Sequence, residues 1–178
     1  RQLSAGHLCL VEGTRELLQD LKTRGFRLAI GTSTPRENLD FVLQQTRAGP
    51  FFDALVSGEE VVRGKPAPDI FLRAAKKLGL QPSRCVVVED APAGLEAARA
   101  AGMTVVAVAT TRTRRELQPA DRIVAALGQL RPGDFAVLLK DRPDGMEMRS
   151  GPGNGKHNET DHGAGPGKNE PRTGGGES

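Results

Sequence analysis

Two stretches, Cys85-Val86-Val87-Val88 and Thr104-Val105-Val106-Ala107-Val108-Ala109, are apolar almost without a break. A strand with one face in water alternates apolar and polar side chains, whereas a strand covered on both faces does not need to. Between them lies Glu89-Asp90-Ala91-Pro92-Ala93-Gly94 and an Ala-rich segment ending at Gly102, long enough for one helix. Buried strands separated by helices of that length predict a parallel sheet with helices on both sides, an α/β fold.

The rest of the first 130 residues keeps the same rhythm. Leu17, Leu18 and Leu21 recur at helical spacing and stop at Gly25, and Phe26–Gly31 then reads as a strand. The turn Thr32-Ser33-Thr34-Pro35 opens a helix carrying Leu39, Val42 and Leu43, with Pro35 expected at its first position, where no amide hydrogen is needed. Ala54–Ser57 is a short strand, and a loop through Gly64-Lys65-Pro66-Ala67-Pro68 leads to a helix from Asp69 to Leu78 closed by Gly79. Ile123 to Leu130 reads as an amphipathic edge segment, and Phe135–Lys140 as a strand-like run.

Composition narrows the function classes. Of 178 residues, 25 are Lys or Arg and 22 Asp or Glu, a net charge of +3 without Trp or Tyr for base stacking, which argues against nucleic-acid binding. No run approaches a membrane span or a signal peptide, and two cysteines, Cys9 and Cys85, make neither a disulfide scaffold nor a zinc cluster. A reducing, cytoplasmic setting is expected. His157 and His162 lie near the C-terminus, leaving only His7 for the folded part, so histidine chemistry is not expected. Residues 151–178 contain no Val, Ile, Leu, Met or Phe, and about two-fifths of them are Gly or Pro, so 141–178 is read as a disordered tail. The first residue is Arg1, which suggests a piece of a longer protein.

Ligands of open α/β sheets bind at the carboxyl ends of the strands. Thr32 follows the first strand, Lys65 lies in the loop after the second, and Glu89-Asp90 follows the third. A hydroxyl, an ammonium and two adjacent carboxylates suit phosphoryl chemistry on Mg2+, whose preferred ligands are hard oxygens. Taken singly, each residue has a plainer role: Lys65 as a solvated lysine, Thr32 as a turn residue, Glu89-Asp90 as the acidic start of a helix. The small cluster Arg112, Arg114 and Arg115 reads as a solvated face.

Three segments carry a family resemblance: Ala29-Ile30-Gly31-Thr32-Ser33-Thr34, Gly64-Lys65-Pro66-Ala67-Pro68-Asp69-Ile70-Phe71 and Val87-Val88-Glu89-Asp90-Ala91-Pro92-Ala93-Gly94. In this order and spacing they resemble motifs II, III and IV of the haloacid dehalogenase superfamily, in the branch of β-phosphoglucomutase and sugar-phosphate phosphatases. The resemblance covers about residues 8–130. It implies a Rossmannoid parallel sheet and Mg2+-dependent transfer of a phosphoryl group from a small phosphorylated metabolite. It also implies roles: Thr32 holding the transferring group, Lys65 pairing with that group and with the nucleophile, Asp90 ligating Mg2+ with Glu89 as ligand or neighbour, and Thr34 and Arg36 near the substrate phosphate.

The family's first motif, an apolar strand ending in Asp-x-Asp, supplies nucleophile and acid/base, and no Asp-x-Asp occurs in this sequence. Asp141 and Asp144 follow Phe135–Lys140 but are three apart with Pro143 between them, so that segment is expected to be a C-terminal edge. The inserted cap is absent too, save that residues 1–8 resemble its end, which leaves 9–140 as core. The implied fold therefore lacks its central strand. Its sheet should show a gap, a wrongly filled centre, or abutting strands, and the chain alone should be inactive without the missing N-terminal segment. The rival expectation is a non-catalytic module with weak phosphate or Mg2+ binding at most.

Overall fold

A computed structural model of the chain describes residues 8–110, 112–118 and 120–140. The elements follow in the order α1 (Thr14–Thr23), β1 (Ala29–Gly31), α2 (Arg36–Thr46), β2 (Ala54–Val56), α3 (Asp69–Leu78), β3 (Val86–Glu89), α4 (Pro92–Ala100), β4 (Thr104–Val108), β5 (Arg122–Val124) and α5 (Pro132–Lys140). The α/β class is as expected, and the strands read at Phe26–Gly31, Ala54–Ser57, Cys85–Val88 and Thr104–Ala109 are present as β1 to β4.

The strands form two separate parallel sheets, β1-β2 and β3-β4-β5. Ile30 stands opposite Leu55 in the first, and Val87 opposite Val105 in the second. Of the three outcomes expected for a sheet without its central strand, the gap is the one observed. The segment 135–140 does not fill it. That strand-like run is the helix α5, begun by Pro132 and by Asp134, whose carboxylate accepts the Arg131 N–H at 2.7 Å and holds the Arg122 guanidinium at 2.6 Å. Helical spacing then brings Phe135 edge-on to Phe26, their rings 6.3 Å apart. Asp141 and Asp144, like residues 1–7 and the 141–178 tail, lie outside the described residues.

Helices cover both faces. On one, Ile70, Phe71, Ala74 and Ala75 of α3 and Leu95, Ala97 and Ala98 of α4 pack on Val56, Val87, Val105 and Ala107. On the other, Leu17 and Leu21 of α1 and Phe135 of α5 pack on Val106, Val108 and Val124, while Leu39 and Leu43 of α2 cover Ile30 and Leu55. All five residues of β4 are buried, as its apolar run Val105–Val108 leads one to expect.

Two boundaries differ from expectation. Pro35 caps α2 from outside with extended backbone, ψ 151, and the first helical residue is Arg36. Ile123–Leu130 is not one amphipathic piece: Arg122–Val124 pairs with β4 as an edge strand, and a 3-10 turn, Leu127–Gln129, follows. Gly13 starts α1 at φ 77, where a Cβ would lie 2.7 Å from the Cα of Gly128, so glycine is required there by both backbone and neighbour.

Candidate active site

The carboxyl ends of β1 and β3 carry the expected polar residues because each strand runs directly into a turn. Thr32 follows β1 and stays tied to β2 through its N–H to the Val56 carbonyl, 3.0 Å. Its hydroxyl donates to Thr34 Oγ1 at 2.9 Å and accepts the Thr34 N–H at 3.1 Å. The turn is thus fixed from inside, and the Thr34 carbonyl accepts the Gly58 N–H at 3.2 Å. Thr32 and Thr34 are both half-buried.

Lys65 arrives on a loop anchored by Glu60. The Glu60 carboxylate takes the Ser57 N–H at 3.2 Å, Lys77 Nζ at 2.6 Å and the Arg73 guanidinium at 3.3 Å. These donors, Lys77 foremost, pull its pKa from 4.5 to about 2. Sequence reasoning passed over Glu60: its spacing from Ser57 is that of a capping box, a local signal, but its cationic partners lie 13 and 17 residues away on α3. A second anchor is the fork of Arg63 on both oxygens of Asp69, each 2.9 Å. The Lys65-Pro66 peptide is cis.

Lys65 Nζ pairs with Glu89 Oε1 and lies 4.8 Å from the centre of the Phe71 ring. Glu89 also accepts the N–H groups of Asp90 and Ala91, at 2.9 and 3.2 Å, and so fixes the turn that leads into α4. Gly94 leaves the room this needs: a Cβ there would run into the Glu89 carboxylate. The structure therefore brings Lys65 and Glu89 into direct contact. Asp90 is exposed and receives a long contact from the Thr110 hydroxyl at 3.5 Å.

Arg36 stands in the first turn of α2, where Asp40 holds its guanidinium at 2.9 and 3.0 Å. Arg112 pairs with Glu116, and Arg114 and Arg115 are exposed, in keeping with a solvated face. Among the described residues no helix is long and apolar enough to cross a membrane, and no three His, Cys, Asp or Glu side chains come together as a metal cluster. Glu89 and Asp90 still offer two adjacent hard oxygen donors. That set fits Mg2+, which is commonly held by one or two carboxylates and keeps further positions for water and phosphate.

Comparison with known proteins identifies a family. The family model for haloacid dehalogenase-like hydrolases matches residues 2–102. The chain is 44% identical over 115 residues to Protein CbbY of Rhodobacter capsulatus, covering 63% of this chain and 51% of that protein. It is 44% identical over 81 residues to fructose-1-phosphate phosphatase YqaB of Escherichia coli, covering 46% of this chain and 43% of that protein. The chain thus spans about half the length of these relatives. Among solved structures, a CbbY mutant from Rhodobacter sphaeroides in complex with xylulose-(1,5)bisphosphate superposes with a TM-score of 0.66 at 32% identity, over 71% of this chain and 58% of that one. A putative β-phosphoglucomutase from Thermotoga maritima gives 0.62 at 31% identity, over 74% and 60%. With the motif order, the fold and the family model in agreement, the chain belongs to the haloacid dehalogenase-like hydrolase family.

Proposed function

We propose that this chain carries the phosphate- and cation-binding half of a site that transfers a phosphoryl group from a small phosphorylated metabolite, in a cytoplasmic protein. The observation that carries this reading is the meeting of Lys65 with Glu89 beside the exposed carboxylate of Asp90, at the end of β3. A sugar phosphate is the substrate class favoured by its relatives, which include a fructose-1-phosphate phosphatase and a protein bound to xylulose-(1,5)bisphosphate.

Each side chain has a task it can perform from where it stands. The Lys65 ammonium has three donors, and those not spent on Glu89 can hold phosphoryl oxygens. The Thr32 hydroxyl can turn its proton from Thr34 to an oxygen of the same group, while Thr34 keeps the turn closed. Asp90 is placed to ligate Mg2+, with Glu89 behind it, oriented by Lys65 and the Asp90 and Ala91 amides. Bound there, Mg2+ supplies charge neutralisation to the phosphoryl oxygens. Arg36 reaches the substrate phosphate only by releasing Asp40. The nucleophilic carboxylate and the acid/base come from an Asp-x-Asp segment that this sequence does not contain.

The test is phosphate release from a panel of sugar phosphates with Mg2+. The chain alone should release none. A protein that joins it to an upstream segment bearing Asp-x-Asp should turn over, and should lose activity on Lys65→Ala or Asp90→Asn. Turnover by the chain alone would overturn the division of labour. The rival reading, a non-catalytic binding module, draws on the lack of a three-carboxylate cluster among the described residues. It gains if the joined protein binds orthophosphate and Mg2+ yet never turns over.

A further inference from the structure

Two side-chain contacts fold the Lys65 loop back onto the first turn of α3. The Arg63 guanidinium takes both oxygens of Asp69, six residues on. The Lys65 ammonium lies over the ring of Phe71, 4.8 Å from its centre. Residues 63 and 65 thus meet residues 69 and 71 in matched order. Between them the Ala67 N–H closes a turn on the Gly64 carbonyl at 3.0 Å, and the Phe71 N–H bonds to the Pro68 carbonyl at 3.0 Å. Loop and helix start form one folded unit, with the Phe71 ring as its floor.

The ring itself has little freedom. Phe71 is buried in one core cluster with Val56, Ile70 and Ala74. A Cβ on Gly31 would stand 3.3 and 3.4 Å from two ring atoms, so the glycine that ends β1 leaves the space the ring fills. A largely buried ammonium needs compensation on each side that water has left. Glu89 supplies it on one side of Lys65, and among the described residues no other carboxylate pairs with that ammonium. A second side is the face of the Phe71 ring, whose π electrons present negative potential within the range of about 6 Å over which such contacts act. An aliphatic side chain of similar bulk would fill the space and leave that side uncompensated.

We infer that Phe71 is a positioning residue: its ring face, together with Glu89, holds the Lys65 ammonium in place at the end of β3. The ring acts through Lys65 rather than on a ligand. For its consequence the inference rests on the function proposed above, which gives the Lys65 donors not spent on Glu89 to phosphoryl oxygens. It adds a requirement of its own at position 71. The side chain there must present an electron-rich face, beyond being apolar and of the right size.

The experiment places mono-, di- and trifluorophenylalanine at position 71 by site-specific incorporation. Fluorine withdraws negative potential from the ring face with little change in shape. Urea unfolding is measured in the parent chain and in Lys65→Met. Trifluorination should lower the folding equilibrium constant roughly three- to tenfold in the parent and leave it unchanged in Lys65→Met, where no ammonium faces the ring. Calorimetric titration with orthophosphate should show the dissociation constant rising stepwise along the series, by roughly three- to tenfold at its end. A residue that only fills space would not produce that gradient. Phe71→Leu should weaken binding at least as much, whereas trifluorophenylalanine at the exposed Phe41 should change neither measurement. Equal stability losses with and without Lys65 would overturn the inference. So would an affinity that stays flat along the series while Lys65→Ala lowers it. Absence of orthophosphate binding, or binding that Lys65→Ala leaves unchanged, would instead sink the proposed function, and the unfolding comparison would still decide whether the ring holds the lysine.

Discussion

Lys65 and Glu89 are 24 residues apart in sequence and form an ion pair whose side chains are only 16% and 11% exposed. The pair joins the loop between β2 and α3 to the carboxyl end of β3, across two sheets that no strand pairing links among the described residues. Removing one partner leaves the other charge poorly solvated, so single substitutions should cost more than the pair is worth. In a double-mutant cycle with Lys65→Met and Glu89→Gln, urea denaturation should report a coupling of about 1–3 kcal/mol. Strictly additive losses would mean that the contact contributes no stability.

Gly94→Ala tests the space reserved for Glu89. A Cβ would meet the carboxylate, so the glutamate must leave either Lys65 or the Asp90 and Ala91 amides. Destabilisation by about 1–3 kcal/mol is expected, although alanine is the better helix former. Gly133→Ala is the contrast: nothing lies within 4 Å of the new methyl, and the helix should gain up to about 1 kcal/mol.

Glu60 makes the Lys65 loop acid-sensitive. Its carboxyl pKa is lowered from 4.5 to about 2 in the folded chain, first by Lys77 and then by the Ser57 amide. A depressed folded value means the folded state favours the ionised form. The stability it contributes is full above pH 4.5 and is lost as pH falls from there toward 2. Asp53 and Asp134, also lowered, act in the same direction. Thermal melts across this range should show Glu60→Gln to be less stable than the parent at pH 6, with the difference shrinking toward pH 2.

Thr32 serves both the turn and the proposed phosphate. Thr32→Val removes the acceptor of the Thr34 N–H and the donor to Thr34 Oγ1, at a cost of about 1 kcal/mol. Calorimetric titration with orthophosphate and Mg2+ should show weaker binding for Thr32→Val and near-parental binding for Thr32→Ser. Equal binding by all three would remove Thr32 from the site.

What the sequence shows is uneven, for physical reasons. β3 and β4 stand out because helices cover both their faces, so Val86–Val88 and Val105–Val108 are apolar in unbroken runs. The helix Asp69–Leu78 stands out at both ends, where Pro68 precedes it and Gly79 takes φ 67. α5 was misread because Phe135–Leu139 is apolar at consecutive positions, which a short window cannot assign to strand or helix. Its start is set by Asp134, and one of that residue's partners, Arg122, belongs to β5. Glu60 carries a local Ser-x-x-Glu spacing from Ser57, but its ion pairs were not legible for a related reason: its cations come from another element.

The sequence by itself determined the α/β class, the family, and the identity of Thr32, Lys65, Glu89 and Asp90 as the polar ends of strands. These depend on local burial patterns and on motifs that each fit within one turn. The tertiary structure alone decided that Lys65 faces Glu89, that Gly94 makes room for it, and that the strands part into two sheets around an apolar slot. Those facts depend on which elements become neighbours, and neighbours are chosen by packing and by unpaired backbone groups, neither of which is written at any single position of the chain.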